Sequence, residues 1–520
     1  MGKAQMSRRR FLQALGMAGA AGLIASCTPE VVTEIVEKTV EVEKVVEKTV
    51  EVEKEVEKVV EVTAVPSGPA HITYWLPPTT EQVYREQMIN EFMLLNSDIT
   101  VEMDGADPAN YNEATQLLFK GGDFPDVFWK FNLSFSQMLA EDLIQPFPQA
   151  AQDYLMSAYP ESMFLEGINM WEGKLYGFWP VGPKSATRVL YTNDQLFAAA
   201  GIEVPTTWSE LVDAAQALTD AGAGQSYGLI MGGLSTWDYT ALVGGLAMTA
   251  GKMAAADGEA NCIDWTKAEM TIASDYMVEG LKVCVDMMDA GTLFPGFTTI
   301  NHTEARAGLA TNWAGMYVGG WWDAGAYKTQ FPDFKFSASP LPVFDGGKLG
   351  FNHGAPFIDR VYVSKQAEDL DAVAQFLIYK FGPAYQRGWA RNGWFTALPE
   401  ANEASNIADP IVQNIFRISE DIRAVPDPVA RNNEQAAVSA ERKAITPNWG
   451  DILGGVFSGQ IAPDDYATEA QAYADLWRAE LERAITEVAG RGANVSLDDW
   501  MFPNWDPDSD YTTDMYADLA

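Results

Sequence analysis

The chain has 520 residues, with 72 acidic against 35 basic side chains, a formal net charge of -37, 47% hydrophobic residues and only three cysteines. That length exceeds one ordinary core and points to two or three domains. The negative field excludes nucleic acid and anionic lipid as natural partners; it favours neutral or cationic ligands, or serves solubility alone.

At the amino end, Ser7-Arg8-Arg9-Arg10-Phe11-Leu12 precedes an apolar run from Ala14 to Ala25 that closes in Ile24-Ala25-Ser26-Cys27. The run is too short to cross a bilayer, which takes about 20 apolar residues. It follows the cations Lys3, Arg8, Arg9 and Arg10, so residues 1–26 read as a twin-arginine lipoprotein signal peptide and Cys27 as the lipidated first residue of the mature chain. Loss of those four cations would take the charge from -37 to -41. Two hydrophobic chains on Cys27 suffice for stable anchoring, which predicts a lipid-anchored protein at the cell membrane, facing the extracytoplasmic side. Thr28 is not the aspartate that typically retains lipoproteins at an inner membrane, so the label fits a single-membrane envelope.

From Val31 to Val65 the composition collapses to Val, Glu, Lys and Thr, and the unit Glu37-Lys-Thr-Val-Glu-Val-Glu-Lys-Val-Val recurs almost unchanged from Glu47. Such a segment builds no core of its own. Read in sevens, Ile35, Val42, Thr49 and Val56 share one line with Val45, Val52 and Val59 beside it, a narrow helical seam. Residues 27–69 are therefore a lipid-anchored stalk and linker: Val31–Val65, if wholly helical, would extend about 50 Å, strand alternation as in Val40-Glu41-Val42-Glu43 competes locally, and a disordered tether would serve as the same spacer.

Pro66-Ser67-Gly68-Pro69 breaks the pattern. Beyond it the sequence predicts a strand over 71–76, a helix over 84–95, a strand over 99–104, a helix over 111–119 and a strand over 126–129. That alternation argues for an α/β fold with a largely parallel sheet. Cys284 lies in the helical Gly280-Leu-Lys-Val-Cys-Val-Asp-Met-Met, and a bridge to Cys262 stays open. After Glu400 the pattern is mostly helical, notably over 466–487. The tail from Leu497, with Trp500, Phe502 and Trp505, is aromatic enough to pack back on the domain.

Sixteen tryptophans are present. Trp75, Trp129, Trp179, Trp237, Trp321, Trp322 and Trp394 lie at expected strand ends or beside glycines, where each is either core or a flat platform for a ligand; Trp208 and Trp265 read as core. Asp323 either accepts from ligand hydroxyls, pairs with a cationic ligand, or caps a helix beginning at Ala324. There is no Gly-x-Ser-x-Gly, His-Glu-x-x-His, Cys-x-x-Cys or P-loop, and His71, His302 and His353 are isolated. The chain therefore reads as a binding protein rather than an enzyme, with no metal and no cofactor.

Three segments carry a resemblance: Gly121-Gly-Asp-Phe-Pro-Asp126-Val-Phe-Trp129 with Leu139-Ala-Glu-Asp-Leu-Ile-Gln-Pro146; Glu172-Gly-Lys-Leu-Tyr-Gly-Phe-Trp179-Pro running on to Tyr191-Thr-Asn193 and Pro205-Thr-Thr-Trp208; and Ala314-Gly-Met-Tyr-Val-Gly-Gly-Trp321-Trp322-Asp323. In order and spacing, over residues 70 to 490, the chain resembles the family 1 extracellular solute-binding proteins of carbohydrate ABC importers, typified by maltose-binding protein. The resemblance implies a two-lobe periplasmic-binding-protein-like fold (type II), with a hinge and an interlobe cleft. The lobes would be 70–187 plus 352–400, and 188–351 plus 401–520.

It further implies capture of a sugar or oligosaccharide, closure of the lobes on it, and recognition of the closed state by the permease subunits of an ABC importer. Trp129 and Trp322 match the family's sugar-stacking positions. Asn132 stands where maltose-binding protein has a ligand-binding aspartate. The stretch Val181-Gly-Pro-Lys184-Ser-Ala186-Thr lacks the family's acidic residue and leaves the polar contacts open. Sugars present apolar C–H faces and a rim of hydroxyls, which suit aromatic platforms beside donors and acceptors. The alternatives are a receptor for a polyamine or other cationic solute, and an anchored polysaccharide-degrading enzyme.

Overall fold

The computed structural model describes residues 69–107, 110–250, 262–403 and 405–519. The expected signal peptide, Cys27 and the expected stalk, up to residue 68, lie outside the described residues. Among the described residues no helix is long and apolar enough to cross a membrane.

Strand β1 (Ala70–Trp75) buries Ala70, Ile72 and Tyr74 on one face, as alternation requires. Helix α1 (Gln82–Leu95) buries Arg85, Met88, Ile89 and Phe92, a stripe at i, i+3, i+4 and i+7. Strand β2 (Ile99–Asp104) runs parallel to β1. After α2 (Tyr111–Gly121), β3 (Val127–Trp129) joins β1 in parallel on the other side. The Asp126 carboxylate fixes that pairing: it accepts from both the amide and the hydroxyl of Thr73, each at 2.7 Å. Two short strands, β4 (Ile144–Gln145) and β5 (Gly177–Phe178), complete this part of the sheet.

The chain then leaves for a second sheet. Strands β6 (Arg188–Asn193), β7 (Tyr227–Ile230), β8 (Ala314–Gly320) and β9 (Phe336–Ser339) pair in the order β9-β6-β8-β7. Every residue of β6 and β8 is buried, which requires cover on both faces. The helices associated with this sheet include α3 (Trp208–Gly222), α4 (Thr236–Thr249), α5 (Asp275–Asp289), α6 (His302–Ala310) and α7 (Asp323–Gln330). Helix α4 is buried without a break from Asp238 to Thr249, so no amphipathic stripe marks it. Cys262 and Cys284 are both buried and unbridged.

On its return the chain forms β10 (Asn352–Gly354) and then β11 (Val361–Ser364), which enters the first sheet antiparallel to β3, β4 and β5. The sheets are thus mixed, where a largely parallel sheet was expected. The reason is the route: β11 arrives from the other lobe and runs against the strands already laid down. Helix α8 (Leu370–Phe381) covers that sheet. Strand β12 (Ile422–Ala424) pairs with β10 in parallel, and Lys184 donates to the Ile422 carbonyl at 3.0 Å. These segments form the crossing between lobes. A Cβ on Gly354 would lie 2.3 Å from the Pro183 carbonyl oxygen, so only glycine fits that approach.

Two hydrophobic clusters result: one joins Ile72, Phe128 and Val363 of the first sheet to Val189, Tyr191 and Tyr317 of the second, and the other holds Leu190, Trp208, Leu246 and Cys284. The long helix α9 (Tyr466–Gly490) belongs to the second. So does the tail: Trp500, Phe502 and Trp505 are buried, with the Trp500 ring stacked on Trp265 at 6.1 Å.

Candidate functional site

Two aromatic groups stand at the carboxyl ends of β1 and β3 in one lobe, and of β8 in the other. In the first, Trp75 is half-buried, donates from Nε1 to Thr115 Oγ1 at 2.8 Å and stacks on Tyr111 with ring centroids 6.2 Å apart. Trp129 is buried and donates to the Tyr74 hydroxyl at 3.0 Å. Its ring meets Trp179 edge-on at 5.0 Å, and the guanidinium carbons of Arg85 and Arg360 lie 4.4 and 4.3 Å from its centroid. Arg85 pairs with Glu81 one helical turn earlier. Asn132 is exposed, and its side-chain oxygen accepts from Gln116 at 2.8 Å.

In the second group, half-buried Trp237 and Trp322 face one another at 6.1 Å with their planes tilted by 34°. The Arg188 guanidinium carbon lies 4.9 Å from the Trp237 centroid and 5.4 Å from that of Trp322. His302 sits 6.0 Å from Trp237. Burial lowers the His302 pKa, with Asp323 opposing. Burial also pushes the neighbouring Asp238 carboxyl up to about 8, aided by Asp323 and opposed by Arg188. The same desolvation holds Arg188 down to about 10. At neutral pH this corner carries a neutral acid, a neutral imidazole and a cation.

The Gly319-Gly320-Trp321-Trp322-Asp323 run has a steric explanation. A Cβ on Gly319 would fall 2.4 Å from an Asp323 carboxylate oxygen, and one on Gly320 would fall 2.4 Å from the Trp322 ring. The two glycines thus leave room for the side chains that follow them.

Several residues singled out as platforms serve as core instead. Trp394 and Trp179 are buried among Trp389 and its neighbours, with centroids 5.2 and 5.7 Å from that ring. Trp321 is buried between Trp322 and Phe395. Asp323 has no exposed surface: Oδ1 accepts from Arg306 at 3.0 Å and Oδ2 from the Gly320 amide at 2.9 Å. Helix α7 begins at Asp323 rather than Ala324, and its N-cap is Trp322. Asp323 is therefore neither a free acceptor for a ligand nor a cap, because both oxygens are engaged inside the lobe. Trp75, Trp237 and Trp322 remain as partly open faces.

Sequence reasoning missed Arg85, Arg188, Arg360 and Asp238. A signal was present for three of them: Arg85 occupies an apolar-stripe position of α1, while Arg188 and Arg360 directly precede Val189-Leu-Tyr and Val361-Tyr-Val. A long cation next to an apolar run either snorkels or is held for a purpose.

A cavity of about 460 Å³ lies elsewhere, at the crossing, where Val181, Pro183, Lys184, Phe395 and Tyr511 line it. It shares none of the nine candidate side chains. The open strand ends fit the chemistry better, since ligands of open α/β sheets sit outside the carboxyl ends of the strands.

The model of the bacterial extracellular solute-binding protein family matches residues 77–387. No protein of curated function matches the chain. Among solved structures, the maltose-bound MalE3 of T. maritima is similar at 15% identity and a TM-score of 0.60, covering 78% of this chain and 100% of its own. The GacH receptor of Streptomyces glaucescens, described in complex with acarbose, is similar at 17% identity and a TM-score of 0.59, over 80% of this chain and 99% of its own. The substrate-binding protein Lmo0181 from Listeria monocytogenes, in complex with cycloalternan, is similar at 19% identity and a TM-score of 0.59, over 79% and 99%.

Proposed function

Since the chain belongs to the bacterial extracellular solute-binding proteins, we propose that it captures a sugar or oligosaccharide between its lobes and delivers it to the permease subunits of an ABC importer. The observation that carries this reading is the pair of half-buried tryptophans, Trp237 and Trp322, on the second lobe, with half-buried Trp75 at the strand ends of the first. Flat apolar faces at strand ends suit the C–H faces of a pyranose. The saccharides held by the similar structures, maltose, acarbose and cycloalternan, point the same way. Binding drives closure to the extent that the ligand prefers the closed arrangement. A lipid on Cys27, with residues 27–69 as spacer, would hold this receptor at the outer face of the membrane.

A polyamine or other cationic solute fits less well. Glu81 is paired with Arg85, Asp323 with Arg306, and Asp238 is neutral at pH 7. Nor, among the described residues, do the groups around the tryptophans form a nucleophile with its base, so the sugar should leave unchanged, against the reading of an anchored polysaccharide-degrading enzyme. Tryptophan fluorescence titrated with oligosaccharides and with polyamines tests the reading, with chromatography of the ligand after overnight incubation. Saturable binding of an oligosaccharide recovered intact is the expected result. Cleaved sugar, or saturation by polyamines alone, would overturn it.

A further inference from the structure

The first aromatic group holds more positive charge than it can neutralise. Arg360 rests its guanidinium on Trp129, Trp179 and Phe357, at 4.3, 5.6 and 5.1 Å from their centroids. Its backbone carbonyl accepts from the Lys130 amide at 2.6 Å, but its guanidinium makes no hydrogen bond or ion pair with any described residue. Arg85 is fully buried; it spends Nη2 on Glu81 and Nη1 on the Pro77 carbonyl at 3.3 Å, and its Nε has no partner. Lys380, also buried, is ringed by Tyr74, Phe381 and Tyr385 at 5.2, 5.7 and 4.9 Å; burial, with Arg85 beside it, holds its ammonium well below the usual lysine range, so the unmatched charge is that of Arg360.

Two carboxylates lie among these cations. Glu81 is shared between Arg85 and the Thr79 hydroxyl. Asp359 is taken by Lys130 and by the Tyr362 hydroxyl, the latter at 2.9 Å. Arg360 is left without a counterion, and aromatic faces compensate a desolvated guanidinium only in part. Its pKa is lowered to about 10, by burial first and by Arg85 in the same direction, with Glu81 opposing. Arg360 immediately precedes β11, which pairs Val361 with Trp129 at the carboxyl end of β3, so it stands at the strand ends that face the cleft and is only half-buried.

We propose that the solute is an acidic saccharide, and that its anionic group pairs with the Arg360 guanidinium beside the Trp129 ring. The proposal rests on the saccharide reading above and names the class of sugar. A planar guanidinium with free donors matches a carboxylate fork to fork, and it also takes a sulfate oxygen pair. It reverses, at this one place, the preference for neutral or cationic ligands expected from a net charge of -37. The global field acts over the surface, whereas a desolvated site answers to the charges within it.

The test is calorimetric titration of the full chain with oligosaccharides of one length in three forms: neutral, uronate and sulfated. Expected is at least tenfold tighter binding of an acidic form than of its neutral counterpart. Arg360→Gln should erase that ratio, and Arg360→Lys should restore part of it; melting curves of both variants establish that they are folded. Preference for the uronate or for the sulfated form identifies which anion the guanidinium receives. A neutral sugar bound as tightly as the acidic ones, or a ratio that survives Arg360→Gln, overturns the proposal and leaves the saccharide reading standing. Binding of none of the three overturns both.

Discussion

The Arg306–Asp323 pair decides whether the Trp-Trp-Asp run is a ligand contact or a structural lock. Asp323 has no exposed surface and Arg306 is 3% exposed. One carboxylate oxygen takes the guanidinium at 3.0 Å, the other the Gly320 amide at 2.9 Å. Asp323→Ala leaves a buried guanidinium uncompensated and an amide unpaired. Breaking such a pair from one side costs about 3 to 5 kcal/mol. Asp323→Asn keeps an acceptor for Gly320 and loses the charge, so it should cost about 1.5 to 3 kcal/mol. The double variant Asp323→Leu with Arg306→Met removes both charges and should recover much of the loss. Urea unfolding followed by tryptophan emission measures each difference. The reasoning fails if Asp323→Ala costs less than about 1 kcal/mol, or if the double variant is no more stable than the single one. It fails equally if Asp323→Asn abolishes sugar binding in protein whose stability is unchanged.

Trp322→Ala should weaken saccharide binding by about 1 to 3 kcal/mol, the range for a base stacked on an aromatic ring. Trp129→Ala should instead cost about 3 to 5 kcal/mol of stability as a buried aromatic lost from the core. Titration and melting of both variants, with the two effects interchanged, would contradict this division. For Asp238, the folded chain keeps a proton up to about pH 8 that the unfolded chain releases near pH 3.9. Its contribution to stability is therefore full below about pH 4 and lost as pH rises through about 8. Melting temperatures of the natural chain and of Asp238→Asn between pH 4 and 9 should diverge across that window, and parallel curves would refute the assignment. Gly354→Ala forces a methyl against the Pro183 carbonyl at 2.3 Å and should destabilise the crossing by about 1 to 3 kcal/mol; an unchanged melting temperature would show that the crossing is slack.

The amino-acid sequence alone determined the alternation of strands and helices and the punctuation between them. Local chemistry decides these features: Asp126 latches β3 to β1, Thr207 and Glu210 box the start of α3, and Asn193 caps the helix that follows β6. Each of these acts within a few residues or across one strand pair, so a motif suffices to reveal it. The family resemblance rests largely on such positions, which is why it was legible in the fold.

What only the tertiary structure decided is which aromatic faces stay open and which charges remain unmatched. Trp321 and Trp322 are adjacent in sequence, yet one is 4% exposed and the other half-buried, because Trp321 packs on Phe395 while Trp322, at the N-cap of α7, lies against Trp237. Asp323, which the sequence leaves open between ligand contact and helix cap, is held instead by Arg306 from another helix. Arg85 and Arg360 are 275 positions apart in the chain and meet over one tryptophan ring only because β11 returns from the second lobe to lie beside β3. No local pattern encodes that meeting, since electrostatic balance belongs to the space between elements.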